Sequence, residues 1–229
     1  PVAVFVLDTN FNLIQSNSYD LPQVTGAYNF SDTAFNIFSI NGVENGGVFL
    51  TGYVNNGTSK RLKSTILGSN GFVAFLDKNL NLKWVKTTTP RQSGNLNNFT
   101  IVDGKVDAKS GFIYVIGRYS GKHRFDQFQL PTFGATGNGP FNVTFLAKLD
   151  TLGNVIWTFA ASPESSPGTT NNINYSVALD TNANVYFYGD YRGLFVVGPD
   201  SNKAFTNQDV FLAKVSDLSL RRDTNLAAA

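Results

Sequence analysis

The feature that most constrains the fold is a segment that recurs along the chain: an apolar run ending near an aspartate, a polar turn, and a second apolar run. Its copies run from Val2 to Ile14, from Gly71 to Trp84, from Val143 to Trp157 and from Asp209 to Leu220. Successive copies begin about 70 residues apart. Such a period predicts one structural unit that recurs and packs against its neighbours, so residues found in every copy are first expected to build that unit.

Each unit predicts four short strands, which we name a, b, c and d. Strand a is predicted at Phe35 to Ile40, Asn98 to Val102 and Ile173 to Leu179, and strand b at Gly47 to Gly57, Gly111 to Gly121 and Asn184 to Gly193. Strand b is rich in β-branched and aromatic residues, which is typical of a strand buried on both faces. Strand c is the FLAKLD segment, and strand d holds Trp84, Trp157 or Leu220. The segments from Ser120 to Phe141 and from Ser162 to Asn172 are predicted to be loops.

Strand b carries a glycine at the same place in three copies, at Gly52, Gly117 and Gly189. A glycine inside a strand weakens it unless a bulge or a close approach requires it, so its recurrence predicts a packing rule. A tyrosine follows each glycine by one or two residues, at Tyr53, Tyr119 and Tyr191. Most aromatic side chains are expected in the core, but these tyrosines could instead line a rim and stack on sugar rings.

The run NVYFYGDYRGLFVVGPDSNKAFTNQDVFLAKV and the run TFLAKLDTLGNVIWTFAAS resemble the repeat of the SBBP family of secreted β-propellers. The resemblance covers nearly the whole chain in degenerate form and is strongest from Gly111 onward. It implies an all-β fold: a β-propeller-like array of four-stranded antiparallel blades in a single domain, 1–229. The predicted repeats are a half blade at 1–30 and full units at 31–93, 94–166 and 167–229. It also implies an exported bacterial surface protein or a giant-virus protein.

Counting strands leaves one hairpin, from Val2 to Asn17, without the a and b strands that would complete its blade. A closed propeller needs whole blades. Three outcomes are open. The chain is a fragment of a larger propeller, or it closes as a four-bladed ring with one short blade, or another subunit completes it. The last follows because an open strand edge invites pairing with a neighbouring chain.

Composition narrows the class of partner and the compartment. The 18 basic and 16 acidic residues are scattered and give a net charge of +2, which favours neither nucleic acid nor an anionic membrane as a partner. No apolar run approaches the length that spans a bilayer, so membrane insertion is not predicted. The chain has no cysteine and no methionine, even at position 1, which favours a processed or partial product. Abundant Asn, Ser and Thr with only 15% charged residues suit an extracellular, cell-surface or virion location.

The pattern Asp-x-Asn-x-Asn is the most metal-like feature. Alternating oxygen side chains at positions 1, 3 and 5 open a calcium loop of the EF-hand type. The pattern lacks the glycine at position 6 and the glutamate at position 12, so turn stabilisation is expected and calcium is the weaker alternative. It occurs at Asp8, Asn10 and Asn12, at Asp77, Asn79 and Asn81, and at Asp180, Asn182 and Asn184, with a partial copy at Asp150 and Asn154.

Two further features of the sequence bear on catalysis. His123 is the single histidine, lies between Lys122 and Arg124, and is expected at a solvated loop tip. The carboxylates of Asp126, Asp190 and Asp209 could meet on one rim, which is the arrangement a glycosidase needs.

The sequence therefore predicts a non-enzymatic surface module without a cofactor, which has a structural or interaction role and protein partners, including its own copies. A carbohydrate-binding module is the alternative, and a rim-carboxylate glycosidase is the third reading.

Overall fold

The computed structural model confirms that the protein is all-β. It describes residues 2–7, 9–19, 35–44, 46–54, 61–62, 65–66, 71–90, 99–131, 143–164, 176–191, 194–197, 200–203 and 209–216. These residues form strands, turns and bends, and none of them is helical. Asp8, Leu220 and the end of the chain lie outside the described residues.

The strands follow the repeat closely. They are β1 (Val2–Leu7), β2 (Leu13–Tyr19), β3 (Phe35–Gly42), β4 (Val48–Val54), β5 (Arg61–Leu62), β6 (Thr65–Ile66), β7 (Gly71–Leu76), β8 (Leu82–Thr87), β9 (Thr89–Pro90), β10 (Phe99–Val106), β11 (Ile113–Tyr119), β12 (His123–Phe125), β13 (Phe128–Gln129), β14 (Val143–Leu149), β15 (Val155–Glu164), β16 (Ser176–Leu179), β17 (Val185–Tyr191), β18 (Leu194–Val197), β19 (Asp200–Lys203) and β20 (Asp209–Val215).

Neighbouring strands pair antiparallel in sequence order. The first sheet is β3-β4-β7-β8. The second contains β10-β11-β14-β15, extended at its edge by β18-β19, and the third is β16-β17-β20. The hairpin β1-β2 precedes them. In the first and second sheets the first strand bulges at one place, Ile37 to Ser39 in β3 and Ile101 to Asp103 in β10, so the two sheets share an irregularity as well as an order.

A short hairpin between strands b and c recurs in the units, as β5-β6, β12-β13 and β18-β19. Two of these hairpins pair with the end of strand d of the preceding unit, β12 with β9 and β18 with β15. The loop predicted from Ser120 to Phe141 therefore contains strands, and strand β15 runs to Glu164, past the predicted loop start at Ser162. Both predictions were wrong because these short strands are formed by pairing between units and not by a long alternating run.

The sheets stack face to face in chain order. One apolar core lies between the first and second sheets and includes Phe49 and Val73 on one side and Phe99, Ile101 and Phe145 on the other. A second core lies between the second and third sheets and includes Tyr114, Ile116 and Leu146 opposite Val177 and Phe187. The second sheet is thus covered on both faces, which explains the full burial of β14.

Equivalent polar contacts connect one unit to the next. The indole Nε1 of Trp84, in strand d of the first sheet, donates to the carbonyl oxygen of Thr151 in the next c–d turn at 3.0 Å. Gln15 stands at the corresponding place in β2, and its Nε2 donates to the carbonyl oxygen of Asn79 at 2.7 Å. The hairpin β1-β2 therefore meets the first sheet through the same position that the first sheet uses to meet the second.

The first strands are also joined directly. The Oδ2 of Asp103 in β10 accepts hydrogen bonds from the Ser176 hydroxyl at 2.6 Å and from the Val177 amide at 3.1 Å, both in β16. This carboxylate occupies the bulge of β10, where the ladder with β11 is interrupted. It fixes the position of the first strand of the third sheet against the first strand of the second.

Candidate functional site

The Asp-x-Asn-x-Asn segments form tight hairpin turns in which the aspartate serves its own backbone. In the turn after β7, Oδ1 of Asp77 accepts from the amides of Asn79 at 2.9 Å and Asn81 at 2.8 Å. The turn is closed by the Asp77 amide, which donates to the Asn81 carbonyl oxygen at 2.9 Å. These bonds hold the pKa of the Asp77 carboxyl below its usual value, with the Asn81 amide as the largest cause.

The same geometry recurs at the other copies. Oδ1 of Asp180 accepts from the amides of Asn182 and Asn184, and its Oδ2 accepts from the Asn184 side chain at 2.7 Å. That side-chain bond is the main cause of a pKa lowered to about 2 for Asp180. The partial copy at Asp150 and Asn154 makes the corresponding bonds. The predicted role in turn stabilisation is therefore observed at each described copy.

The fourth residue of each turn adopts a left-handed backbone conformation. The φ angles are +64° at Phe11, +58° at Leu80, +84° at Gly153 and +58° at Ala183. A type I turn followed by one left-handed residue is a common three-residue hairpin connection, and glycine is the residue that suits it best. Three of the four copies thus accept a backbone strain that glycine at position 153 avoids.

The arrangement of these turns does not support the alternative that they bind calcium. The carboxylate oxygens face their own turn, and the described part of the chain contains no group of three or more His, Cys, Asp or Glu side chains placed to hold a metal ion. Asn10 and Asn12 lie in the turn between β1 and β2, while their aspartate, Asp8, is not described.

The recurring glycines confirm the predicted packing rule. Gly52, Gly117 and Gly189 each stand opposite a phenylalanine of strand c. A Cβ at Gly117 would lie 2.0 Å from the Thr100 carbonyl oxygen and 2.5 Å from the Phe145 ring. The ring of strand c thus covers the glycine of strand b, and no larger side chain fits there.

Burial of Tyr119 and Tyr191 contradicts the alternative in which the strand-b tyrosines line a rim, and it agrees with their expected place in the core. Tyr119 and Tyr191 are buried in the two sheet-to-sheet cores, and the Tyr119 hydroxyl donates to the Pro131 carbonyl oxygen at 2.6 Å. Both stand two residues after the strand-b glycine and so share its core-facing side. Tyr53 stands one residue after Gly52, on the opposite side, and keeps partial exposure; burial raises the pKa of its hydroxyl.

His123 also departs from its prediction, because it is fully buried and not at a solvated loop tip. Its Nε2 lies 2.9 Å from the Ser120 carbonyl oxygen, and its Nδ1 lies 3.3 Å from the Thr88 hydroxyl. In the neutral ring that donates from Nε2, both contacts are hydrogen bonds. The ring packs against Phe99 and Tyr119, and burial lowers the pKa of His123 to about 4. A histidine held neutral in a core is a packing residue.

The three carboxylates that could have met on one rim, those of Asp126, Asp190 and Asp209, lie in two different parts of the structure. Asp126 lies in the β12-β13 turn, where its Oδ2 pairs with Lys86 at 3.4 Å and accepts from the Val155 amide at 3.3 Å. It thereby joins strands of the first and second sheets. Asp190 and Asp209 lie on the adjacent strands β17 and β20 of the third sheet. The contacts of Asp126 are those of a structural bridge.

Strand c carries a buried cation that sequence reasoning did not single out. Lys148 is almost fully buried, and its Nζ lies 3.9 Å from the centroid of the Phe112 ring and 5.5 Å from that of Tyr114. Lys214 repeats the contact with Tyr186 at 5.3 Å, but it is exposed. The recurring lysine of the FLAK segment could have indicated this contact from the sequence, since it lies directly opposite a tyrosine of strand b in two units.

These observations define the class: an all-β repeat protein in which antiparallel sheets stack face to face in chain order. In comparisons with known proteins, no family model matches the chain, and no curated protein matches it. No helix long and apolar enough to cross a bilayer occurs among the described residues.

Proposed function

We propose that this chain is a propeller-type repeat array that serves as a non-enzymatic structural or interaction module on an exterior surface. The observation that carries the proposal is the equivalence of the contacts between units. Gln15 and Trp84 occupy one repeat position and make the same kind of hydrogen bond to the following c–d turn. In repeat proteins, corresponding residues that join each unit to the next produce an extended stack, and such stacks present extended binding surfaces.

The titratable side chains that could take part in catalysis support the same proposal, because each of them is engaged in packing or in a turn. Asp77 and Asp180 serve hairpin turns, Asp126 bridges two sheets, and His123 lies in a core. In a propeller, first strands lie side by side near the axis and successive sheets face one another. The contact of β10 with β16 through Asp103 supports this arrangement.

The exterior location is tested on the intact source, whether cells or virus particles. A membrane-impermeant amine-reactive biotin reagent should label this chain through its exposed lysines, such as Lys78 and Lys83, without lysis. Labelling that appears only after lysis would contradict the exterior role. A cytosolic protein of the same source, detected in the same blot, is the control for integrity.

The non-enzymatic role is tested with purified chain and a panel of glycosides. We expect no turnover above the buffer blank. Turnover that disappears in Asp126→Asn but persists in Asp107→Asn, an aspartate in an exposed turn, would replace the proposal with the glycosidase reading. Asp107→Asn is the matched control because Asp107 serves the a–b turn through Lys109 and Ser110.

Carbohydrate binding stays the alternative, although burial leaves Tyr53 as the one partly exposed member of the three tyrosines. A glycan array that gives a signal with the wild-type chain, and loses it in Tyr53→Ala, would favour that alternative. The structural proposal expects no glycan signal that depends on Tyr53.

A further inference from the structure

The third sheet has an apolar face whose equivalents are buried in the other sheets. We call it the outer face; it is carried by Tyr186, Tyr188, Val210, Leu212 and Lys214, on the side of β17 and β20 away from the second sheet. Leu212 is 74% exposed, and Tyr188 and Val210 are also exposed. Matching Gly189 to Gly117 makes Leu212 the equivalent of Leu146, which is 0% exposed.

In the first and second sheets, the positions equivalent to the outer face are covered by the same part of the following unit. Ile116 and Leu146 of the second sheet pack against Val177 and Phe187 of the third sheet. Phe49 and Val73 of the first sheet pack against Phe99 and Ile101 of the second. The cover always includes the first strand of the following unit, so the repeat specifies the kind of surface that fits the outer face.

A surface of that kind is exposed on the first sheet, beside the hairpin β1-β2, which reaches this sheet through Gln15. We call it the entry face; it is carried by Ile37 and Ile40 of β3, the first strand of the first sheet. Ile40 is 66% exposed and Ile37 36%. Ile37 faces Gly52 just before the strand bulge, as Ile101 faces Gly117 in the second sheet, and Ile101 is 0% exposed because the first sheet covers it.

We propose that the outer face of one copy of this chain binds the entry face of a second copy, so that copies stack head to tail. The inference rests on the proposed structural role and names its partner. The contact covers the part of the first sheet that the hairpin β1-β2 leaves exposed, because this hairpin lacks the a and b strands of a full unit. It joins two different surfaces, so it leaves one outer face and one entry face free and produces rings or filaments, in contrast to a two-fold dimer.

A second copy suits the outer face better than a sugar does. Sugar recognition needs polar groups placed around an aromatic ring. Val210 and Leu212 stand beside Tyr188 and carry no hydrogen-bonding group, while the polar groups of the other two members are engaged within the sheet: the Tyr186 hydroxyl donates to Oδ2 of Asp180 at 3.3 Å, and Lys214 lies over the Tyr186 ring. Contiguous exposed apolar residues on a soluble protein mark an interaction site, and the equivalent residues Ile116 and Leu146 are core residues. The outer face therefore has the chemistry of an inter-sheet core.

The test is sedimentation velocity over a wide range of protein concentration. We expect the wild-type chain to form species larger than a monomer as concentration rises. Leu212→Lys blocks the outer face and Ile40→Lys the entry face, and each alone should raise the dissociation constant at least about tenfold. Leu152→Lys is the matched control, because Leu152 is as exposed as Leu212 but lies in a turn; it should assemble like the wild type.

Mixing the two face variants tests the head-to-tail geometry itself. Leu212→Lys retains an entry face and Ile40→Lys retains an outer face, so an equal mixture should form a dimer that cannot extend. If the wild type stays monomeric, the inference is overturned. If the wild type assembles but the mixture stays monomeric, head-to-tail stacking is overturned. If one of the two variants alone assembles like the wild type, a like-to-like interface through the face that this variant retains replaces head-to-tail stacking.

The two proposals fail separately. Unchanged circular dichroism and tryptophan fluorescence in each variant establish that the stack is folded, so a monomer then counts against the second copy alone. Loss of surface labelling, or glycoside turnover, counts against the proposed function whatever the assembly state. A folded monomer whose outer face binds a glycan, with the signal lost in Tyr188→Ala, would assign that face to carbohydrate.

Discussion

Acid should destabilise this protein through one side chain, His123, well above the pH at which its carboxylates titrate. An unfolded histidine has a pKa of about 6.5, whereas burial lowers that of His123 to about 4. Between these values the unfolded state binds more protons than the folded state, so the free energy of unfolding falls as pH falls. The loss is complete below the folded pKa and absent above the unfolded pKa.

The magnitude follows from the same two values. Lowering the pH from 7.5 to 4.5 should reduce the free energy of unfolding by about 2.5 kcal/mol, since each pKa unit is worth about 1.4 kcal/mol. Asp77 and Asp180 contribute little in this window, because the pKa of each folded carboxyl is lowered and the unfolded carboxyls are still mostly ionised at pH 4.5. The chain has one histidine, so no second imidazole adds to the effect.

Urea denaturation followed by tryptophan fluorescence at several pH values measures this loss. The control is His123→Gln, whose amide nitrogen retains a donor for the Ser120 carbonyl oxygen but does not titrate. It lowers stability at pH 7.5 and should remove most of the slope between pH 6.5 and 4.5. Equal slopes in the wild type and His123→Gln would refute the assignment of a buried, neutral imidazole.

Three substitutions, two of them with a matched control, probe the packing and turn geometry in the same assay. Thr51→Val should raise the free energy of unfolding by about 1 kcal/mol, because the Thr51 hydroxyl is buried with no hydrogen-bond partner; Thr88→Val, which removes the contact with His123, should lower it. Ala183→Gly should add about 0.5 kcal/mol by relieving a positive φ, and no gain would count against that turn geometry. Gly117→Ala should cost about 3 kcal/mol through the clash with the Thr100 carbonyl, whereas Gly42→Ala, with nothing within 4 Å, should change little; equal effects would refute the packing rule.

The all-β fold and its main strands were predictable because strong local signals mark them. Strand b is a long β-branched and aromatic run, and the Asp-x-x-x-Asn segments have the chemistry of hairpin turns. The short hairpins β12-β13 and β18-β19 carry no such run. They form by pairing with β9 and β15 of the preceding unit, which a single segment does not reveal.

The burial of a side chain was harder to predict where charged neighbours obscured the alternation of exposed and buried residues along a strand. In the segment from Lys122 to Phe125, exposed and buried residues alternate, and His123 takes an apolar place between two cations. The flanking charges suggested a solvated tip, although the period of two and Phe125 pointed to burial. The same parity separates Tyr119, two residues from its glycine, from Tyr53, one residue from its own.

Hydroxyl-radical footprinting of the dilute chain tests the central claim most directly, because it reports the solvent exposure of equivalent side chains within one molecule. Stacked sheets of one repeat predict strong modification of Leu212 and Tyr188 and protection of Leu146 and Ile116 at the same repeat positions. At concentrations where copies associate, Leu212 should become protected as well. Equal modification of Leu146 and Leu212 in the dilute chain would contradict the stacking of the third sheet on the second.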